Sequence, residues 1–432
     1  MKLIFLGWMM KKTELLAPAG DLEKLKVAIE YGADAVYCSD RFFGLRGKAG
    51  NFTLRQMKEG VQYAHDRGRK VYTAVNIFAY NRDFRRIEDY LKILHHEIKV
   101  DAIIVTDPGV IDLAREVVPD LELHLSTQAN TLNARACSFW HKQGVSRVIL
   151  AREVSFPDIQ KICLESPTEI EIFVHGSICI AYSGRCFISN YMSQYRDANR
   201  GLCTNSCRWE YKVHEKEVDL EEKERPDEKY SVVEDQRGTY FFNSKDLSLV
   251  RRLDDVLSTG LSSIKIEGRT KSLSYLSTVV AVYRQAMDAY YRDINEYKER
   301  VPEFLTELSE LGSRGYTEGL FRGPQKTTDY NLEGHQKRQH FDFAGLLKQR
   351  DNIRGEDMAL VTMKKKIVPG DEIKIYHPSL VHETRKIEGI FSPQGNFLQK
   401  AIPGQEVYLK GLEGIPLNTI LRMDLPQPVA NR

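Results

Sequence analysis

The chain has 432 residues, is 42% hydrophobic and 28% charged, and has a formal net charge of +2. The length fits two or three domains, and the composition is that of a folded globular protein rather than a disordered one. No apolar run reaches the ~20 residues that a membrane-spanning helix needs. The balanced charge excludes an overall basic field, so any binding of nucleic acid would depend on a local basic patch.

The first ten residues are mostly apolar, with Lys2 near the start, but the apolar run is too short for a signal peptide. Two lysines follow it, Lys11 and Lys12, where a small-residue cleavage site would stand. We therefore expect a cytoplasmic protein without a membrane partner. The seven cysteines are an odd number, and in this setting they do not predict a disulfide framework.

Up to about residue 270 the sequence repeats a short β-branched apolar run, a turn residue and an amphipathic helical pattern. Eight runs are predicted strands: Glu14–Ala17, Ala35–Cys38, Val71–Val75, Ala102–Val105, Glu122–Leu125, Arg147–Leu150, Glu169–Val174 and Ser263–Ile266. Strands that alternate with helices pair in parallel, so we predict an α/β fold with a (β/α)8 TIM-like barrel at residues 13–320. An open doubly wound sheet is the alternative, but no Gly-x-Gly-x-x-Gly motif follows the first strand.

Two segments interrupt this repeat after the seventh predicted strand. Residues 177–211 form a cysteine-rich insert, and residues 212–238 are so rich in charge that we expect a surface excursion. A strand-like run at 239–242 and a helix capped at Asn243–Asp246 should then lead to the eighth strand. Residues 275–312 have the pattern of two helices.

From about residue 341 the apolar runs are short and alternating, and Pro369-Gly370 and Pro403-Gly404 turns precede two of them. This pattern predicts a linker at 321–337 and a small antiparallel β-barrel domain at 338–425. Such a domain could present loops to RNA, or it could only stabilise the protein. Its basic runs are Lys337-Arg338, Lys348 with Arg350, and Lys364–Lys366, although a solvated turn would also explain the last of these.

In parallel barrels the chemistry lies at the carboxyl ends of the strands. Polar residues follow most of the predicted strands: Asn76, Asp107, Gln128, Arg152, Glu153, His175, Glu267 and Arg269. His175 could be a general acid or base, a metal ligand, or a half-buried histidine bonded to the backbone. Arg46, Arg152 and Arg269 could bind carboxylates through paired hydrogen bonds, but Arg152 could instead form an internal ion pair with Glu153.

Four cysteines lie close together in the insert, in the pattern Cys179-x6-Cys186-x16-Cys203-x3-Cys207. Four thiolates are the ligand set of an iron–sulfur cluster or of structural zinc. The spacing within each pair is looser than the usual zinc knuckle, which favours the cluster, while zinc and unliganded thiols stay open. Standard hydrolase motifs are missing from the sequence, since it has neither Gly-x-Ser-x-Gly nor His-Glu-x-x-His.

Several longer motifs make the sequence resemble a known family, the collagenase-like peptidases of unassigned catalytic type. The motifs are Leu15–Gly20, Gly32–Tyr37, Glu171–Cys179, Ala181–Cys186, Asn243–Leu247 and Lys265–Ser272. Two further segments, Cys203–Tyr211 and Arg314–Gly319, resemble the branch of this family that hydroxylates tRNA. Other branches act on ribosomal RNA or on ubiquinone.

The resemblance implies an enzyme that hydroxylates C5 of the wobble uridine in tRNA, using prephenate and an iron–sulfur cluster rather than molecular oxygen. It implies a 4Fe–4S cluster on Cys179, Cys186, Cys203 and Cys207, with Cys38 as a further candidate ligand. The catalytic candidates are His175, Glu267 and Arg269, and the substrate-binding candidates are Arg46, Asn76, Gln128, Arg152 and Lys265. Tyr182, Trp209 and Tyr211 could stack on an extruded base or simply pack around a cluster. The alternatives are a peptidase and a non-catalytic tRNA-binding partner, and a paralogous family member is an additional candidate partner.

Overall fold

The computed structural model describes residues 12–44, 51–179, 181–183, 185–186, 188–189, 197–200, 202–208, 219–222, 225–231, 234–235, 238–239, 244–323, 339–380 and 382–425. The chain divides into two compact units. The first unit comprises residues 1–25, 33–270 and 313–337, and the second comprises residues 26–32, 271–312 and 338–432. Among the described residues, no helix has both the length and the apolar character to cross a membrane.

The first unit contains fourteen described strands, numbered in chain order. Strands β1 to β14 are Glu14–Pro18, Ala35–Cys38, Lys70–Val75, Ala102–Val105, Glu122–Leu125, Arg147–Ile149, Glu169–Ser177, Asp219–Glu222, Arg225–Ser231, Glu234–Asp235, Gly238–Thr239, Asp246–Ser248, Ser263–Ile266 and Tyr316–Thr317. Strands β1 to β7 pair in sequence order, and β13 pairs in parallel with both β1 and β7. The eight predicted strands therefore form a closed parallel barrel, as the sequence pattern indicated.

Nine helices are described. Helices α1 to α9 are Leu22–Glu30, Leu54–His65, Phe84–Lys92, Pro108–Val117, Ala134–Lys142, Phe156–Glu165, Leu253–Ser258, Leu273–Arg292 and Ile294–Ser309. Shorter turns of 3-10 helix are Asn81–Asp83, Thr127–Ala129, Ala198–Arg200, Ser206–Arg208, Val250–Arg252 and Gly319–Arg322, and a π-helical turn is Ile93–Ile98. Asp107 caps α4 by accepting hydrogen bonds from the N–H groups of Gly109 and Val110, with Pro108 at the first helical position. Asp107, the polar residue that follows β4, is therefore a helix cap.

The predicted helix beginning at Asn243–Asp246 is wrong, because the chain forms strand β12 there. Asp246 pairs with Ser177, and Ser248 pairs with His175, in an antiparallel ladder against β7. β12 also pairs in parallel with β14. A Ser or Asp residue before an apolar run resembles a helix cap locally, but pairing on two sides with distant strands decides the structure.

The barrel interior contains a buried ionic network near the amino-terminal ends of the strands. The Arg147 guanidinium donates to Glu14 at 2.6 Å, to Glu169 at 2.7 Å and to Glu171 at 3.2 Å. The Nζ of Lys265 donates to the other oxygen of Glu171 at 3.0 Å. Residues from β1, β6, β7 and β13 are thus joined across the interior by charge-assisted hydrogen bonds.

The second unit contains helices α8 and α9 together with seven antiparallel strands. Strands β15 to β21 are Phe341–Ile353, Glu356–Met363, Glu372–Tyr376, His382–Lys386, Gly389–Phe391, Glu406–Lys410 and Ile420–Asp424. The sheet order is β18-β17-β21-β15-β16-β20-β19. Because the chain runs directly from one edge strand, β18, into the other, β19, the sheet must be rolled, and its inner face holds a buried aliphatic core. The C-terminal antiparallel sheet predicted from the sequence is confirmed.

The helices and the sheet of this second unit share a buried contact at Arg422. The guanidinium lies 3.4 Å from the ring centroid of Tyr376 and 3.9 Å from that of Phe341, and it also donates to Thr278 of α8. His382 of β18 contacts Glu307 of α9 at 2.7 Å. Helices α8 and α9 therefore contact the C-terminal strands directly.

Candidate functional site

The cysteine-rich segment is fastened to loops that follow the barrel strands. The Glu153 carboxylate, after β6, accepts hydrogen bonds from the N–H of Ser183 at 2.7 Å and from its hydroxyl at 2.9 Å. Asn130, after β5, donates to the carbonyl of Ser183 at 2.8 Å. Arg200 pairs with Asp83, after β3, at 2.9 Å. These contacts hold the segment over the carboxyl ends of the strands, where barrel enzymes carry their chemistry.

The route of the chain into this segment depends on a glycine. Gly176, near the end of β7, has a φ of 109°, and a Cβ atom there would lie 2.4 Å from the carbonyl oxygen of Glu267. The N–H of Glu267 also donates to the carbonyl of His175 at 2.9 Å. Only glycine combines that backbone conformation with such a close approach. Strand β7 can therefore stay paired with β13 up to His175, just before the chain enters the cysteine segment.

The four clustered cysteines are free thiols, with Cys179 exposed and Cys186, Cys203 and Cys207 half-buried. Ser189 ties their two halves together, since its hydroxyl contacts the Sγ of Cys203 at 3.8 Å and accepts from the N–H of Thr204 at 3.1 Å. Burial raises the pKa of Cys186, and the nearby thiols of Cys179 and Cys203 raise it further. The thiols of Cys179 and Cys203 are therefore close enough to Cys186 for their charge to affect its pKa.

These thiols fit an iron–sulfur cluster in number and in chemistry. As they stand, no three His, Cys, Asp or Glu side chains in the described part of the chain are arranged to hold a metal ion.

Cys38 lies in a different environment. It is fully buried at the end of β2, with its Sγ 3.9 Å from the hydroxyl of Thr73, which in turn contacts the Sδ of Met57 on α2 at 3.6 Å. The thiol therefore lies on the side of the sheet that α2 covers. Burial raises its pKa to about 12, which disfavours the thiolate that a metal needs.

His175 lies at the carboxyl end of β7 and is fully buried. Its ring centroid is 5.4 Å from that of Tyr316 on β14, at an interplanar angle of 48°. Two residues before Tyr316, Arg314 forms an ion pair with the buried Asp246 of β12. Strands β12 and β14 therefore both contact the histidine, and no spacing along the sequence indicates these contacts.

The two basic candidates on and after β13 have charged neighbours inside the protein. Lys265 is 3% exposed, and its Nζ lies 4.3 Å from the ring centroid of Tyr37 in addition to its bond with Glu171. Burial lowers the pKa of Lys265 although the Glu171 carboxylate opposes that effect. Arg269 is 4% exposed, and its charge acts on the buried Asp40.

The remaining candidates lie at the carboxyl ends of different strands. Glu267 accepts a hydrogen bond from the hydroxyl of Tyr37 at 3.1 Å, and the N–H of Asn76 donates to the carbonyl of Phe43 at 2.9 Å. Gln128 is 2% exposed; its Oε1 accepts from Thr106 at 3.1 Å, while its Nε2 has no hydrogen-bond partner among the residues the structure describes. Arg46, Trp209 and Tyr211 lie outside the described residues.

A cavity of about 170 Å³ opens beside the cysteine segment, and its lining includes Arg152, Phe173 and Cys179. The guanidinium of Arg152 stacks on the Phe173 ring, with its Cζ 3.8 Å from the ring centroid. The internal ion pair of Arg152 with Glu153 is not formed, because Glu153 binds Ser183 instead. Sequence reasoning missed Ser183 and Asn130, whose role is set by contacts with distant loops.

The fold and the site define a class of protein, an α/β barrel with a cysteine-rich segment across the carboxyl ends of its strands. The chain belongs to peptidase family U32. The family profile matches residues 20–331, and the profile of the peptidase family U32 C-terminal domain matches residues 339–422.

Three curated relatives illustrate this membership. "tRNA hydroxylation protein P1" of Bacillus subtilis is 40% identical over 393 residues, 90% of each chain. "tRNA hydroxylation protein P" of Haemophilus influenzae is 37% identical over 451 residues, 95% of this chain and 96% of the relative. "23S rRNA 5-hydroxycytidine C2501 synthase" of Escherichia coli is 34% identical over 278 residues, 64% of this chain and 40% of the relative.

Proposed function

We propose that this chain is a tRNA hydroxylase that converts the wobble uridine to 5-hydroxyuridine, with prephenate as co-substrate and an iron–sulfur cluster as cofactor. Relatives whose names specify tRNA hydroxylation align with about nine-tenths of the chain. A more distant relative is named for a 5-hydroxylated cytidine, and position 5 is equivalent in uridine. The observation that carries the proposal is the four-cysteine segment fastened over the carboxyl ends of the barrel strands.

Cys179, Cys186, Cys203 and Cys207 would hold the cluster, which supplies one-electron chemistry or a Lewis-acidic iron when bound. Tyr182, between the first two of these cysteines, is 58% exposed and could stack on an extruded base. Stacking of a base on an aromatic ring contributes ~1–3 kcal/mol in complexes with single-stranded nucleic acid. The cysteine segment would thus supply both the cofactor ligands and a platform for the base.

Contact with the tRNA backbone is proposed for the second unit, where the described lysines of the basic runs differ in whether they have an acidic partner. Lys348 pairs with Glu406 at 3.3 Å, and Lys365 pairs with Asp342 at 2.7 Å. Lys366 is exposed and forms no ion pair with a described residue, so it could neutralise a phosphate without losing an internal partner. Lys337 and Arg338 lie outside the described residues.

The family name offers hydrolysis of peptides as a second function, but the site geometry does not favour it. The Ser183 hydroxyl donates to Glu153 rather than to a histidine, and Glu153 is already engaged by the N–H of the same serine. A serine nucleophile needs a base that can take its proton and an orienting group behind that base. Peptide hydrolysis is therefore not part of the proposal.

The test is nucleoside analysis of tRNA from a deletion strain of the source organism grown without oxygen. We expect 5-hydroxyuridine derivatives at the wobble position to disappear and to return with the plasmid-borne gene. A Cys203→Ala gene should not restore them, whereas a Cys38→Ala gene should. Unchanged 5-hydroxyuridine in the deletion strain would contradict the proposal. If 5-hydroxyuridine returned only when a paralogue was expressed as well, the chain would have the role of a tRNA-binding partner.

A further inference from the structure

The cavity beside Cys179 has mainly apolar walls. Val154, Ile159, Ile172, Leu249 and Phe321 all contribute to its lining, and each is at most 5% exposed. A ligand there would exchange water for aliphatic and aromatic contacts, which favours binding in proportion to the apolar area that is covered. These walls select a ligand with an apolar carbon body.

One cationic group in the described lining has no acidic counterpart. Arg152 forms no ion pair with a described carboxylate, and its half-buried guanidinium is held flat against Phe173. The two acids of the lining are both engaged, since Glu153 accepts from Ser183 and Glu318 pairs with Arg322 at 2.5 Å. A partly desolvated guanidinium without a counterion is best satisfied by a carboxylate, which it can bind through two parallel hydrogen bonds.

The position of the cavity connects this ligand with the cysteine segment. Cys179 and Tyr182 are part of its lining, as is Ile178 between β7 and the first cysteine. A molecule in the cavity would therefore lie beside the thiol that begins the cysteine pattern. This is the placement expected of a co-substrate that reacts near a cluster, not of a ligand at a remote regulatory site.

We propose that this cavity binds a small carboxylic acid with a six-membered carbon ring, and that the Arg152 guanidinium binds its carboxylate. The identification of that acid as the co-substrate prephenate rests on the proposed function. Prephenate has two carboxylates, and a second one buried against aliphatic walls without a partner would be strongly disfavoured. The second carboxylate and the ring hydroxyl should therefore face solvent, beside the exposed Cys179 of the lining.

The test is calorimetric titration of the full-length, anaerobically purified protein, without tRNA, with three acids. Phenylpyruvate combines one carboxylate with an apolar ring, prephenate has a carbon ring that carries a hydroxyl and its second carboxylate, and citrate has carboxylates without a ring. We expect the first two to bind and citrate not to bind. Absence of binding by both ring acids, or citrate binding as tightly as phenylpyruvate, would overturn the proposal.

Variants at Arg152 test the carboxylate contact. Loss of a charge-assisted hydrogen bond costs about 1.5–3 kcal/mol, so Arg152→Met should weaken prephenate binding by about 10- to 150-fold. Arg152→Lys, which keeps the charge but loses the paired geometry, should fall between. Arg135→Met, on the exposed face of α5, is the matched control and should bind normally. Equal affinity of the wild type and Arg152→Met would refute the assignment.

This measurement also separates the two proposals. Arg152-dependent binding of phenylpyruvate by a protein that does not modify tRNA would support the cavity and reject the proposed function. If the wild type modifies tRNA, and Arg152→Met binds prephenate with unchanged affinity and has an unchanged KM for prephenate, the proposed function would be supported and the cavity assignment rejected.

Discussion

Replacement of Lys265 by methionine tests whether this residue acts in folding or in substrate binding. Its Nζ donates to the Glu171 carboxylate at 3.0 Å, and the two residues are 3% and 0% exposed. Lys265→Met keeps most of the side-chain volume but removes one of the two cations that compensate Glu171. Arg147 remains, at 3.2 Å from the other carboxylate oxygen.

Removing one partner of a buried ion pair typically costs 3–5 kcal/mol, because an uncompensated charge stays buried. Since Arg147 still neutralises part of the charge of Glu171, we expect Lys265→Met to lower the free energy of unfolding by about 3 kcal/mol. Replacing both partners with apolar residues is often neutral. The double variant Lys265→Met/Glu171→Leu should therefore regain much of the stability that the single variant loses.

The assay is urea unfolding of the wild type, both single variants and the double variant, followed by near-ultraviolet circular dichroism, with the tRNA modification activity of each protein measured in parallel. A double variant that loses less stability than the sum of the losses of the two single variants would confirm a structural ion pair. If Lys265→Met had wild-type stability but had lost prephenate binding, the structural reasoning would be refuted and the substrate-binding role predicted from the sequence would be restored.

The same network predicts a pH dependence. Burial raises the pKa of Glu171, but Lys265 and Arg147 overcome this effect and hold the pKa below its usual value of 4.5. A carboxyl whose pKa is lowered by folding contributes stability that is present above its unfolded pKa and is lost as the pH falls through its folded pKa. Glu171→Gln should accordingly show a shallower loss of stability below about pH 4.5, measured by urea unfolding at several pH values.

Three further predictions concern the cofactor and the RNA. Cys203→Ala should abolish the visible absorbance and the bound iron of anaerobically purified protein, whereas Cys38→Ala should keep both; a colourless wild type with stoichiometric zinc would contradict this. Lys366→Ser should weaken tRNA binding and reduce the slope of log affinity against log salt by about 0.9. Lys348→Ser should leave this slope unchanged, because Lys348 is ion-paired with Glu406. Equal slopes for the two variants would refute a phosphate contact by Lys366. Tyr182→Ala should weaken binding of an anticodon stem-loop by about 5- to 150-fold if stacking contributes 1–3 kcal/mol, and unchanged affinity would exclude stacking.

The barrel could be predicted from the sequence because each strand is a short run rich in apolar residues and each helix has its own periodicity. The error at Asn243–Asp246 has a different origin. Strand β12 is only three residues long and exists because β7 and β14 offer pairing partners on both sides. A signal that depends on residues 70 positions away along the chain (Asp246 and Tyr316) cannot be found in a local pattern.

The site was predictable to a different degree for different residues. The clustering of four cysteines is visible along the chain, and the carboxyl ends of strands can be listed once the strands are known. The direction in which a side chain points is not visible in this way. Lys265 and Arg269 were candidates by position, yet both are buried with internal charges nearby. Arg152 was an equal candidate, and what distinguishes it is that its acidic neighbour Glu153 binds Ser183 instead.

The central claim is tested most directly by reconstitution. Purified full-length protein with its iron–sulfur cluster, tRNA from the deletion strain and prephenate would be incubated without oxygen, and the wobble nucleoside analysed by mass spectrometry. We predict prephenate-dependent conversion of uridine to 5-hydroxyuridine, a gain of one oxygen atom, and no conversion by the Cys203→Ala protein. Conversion that is equal with and without prephenate, or unmodified uridine after incubation with the cluster-loaded wild type, would contradict the account.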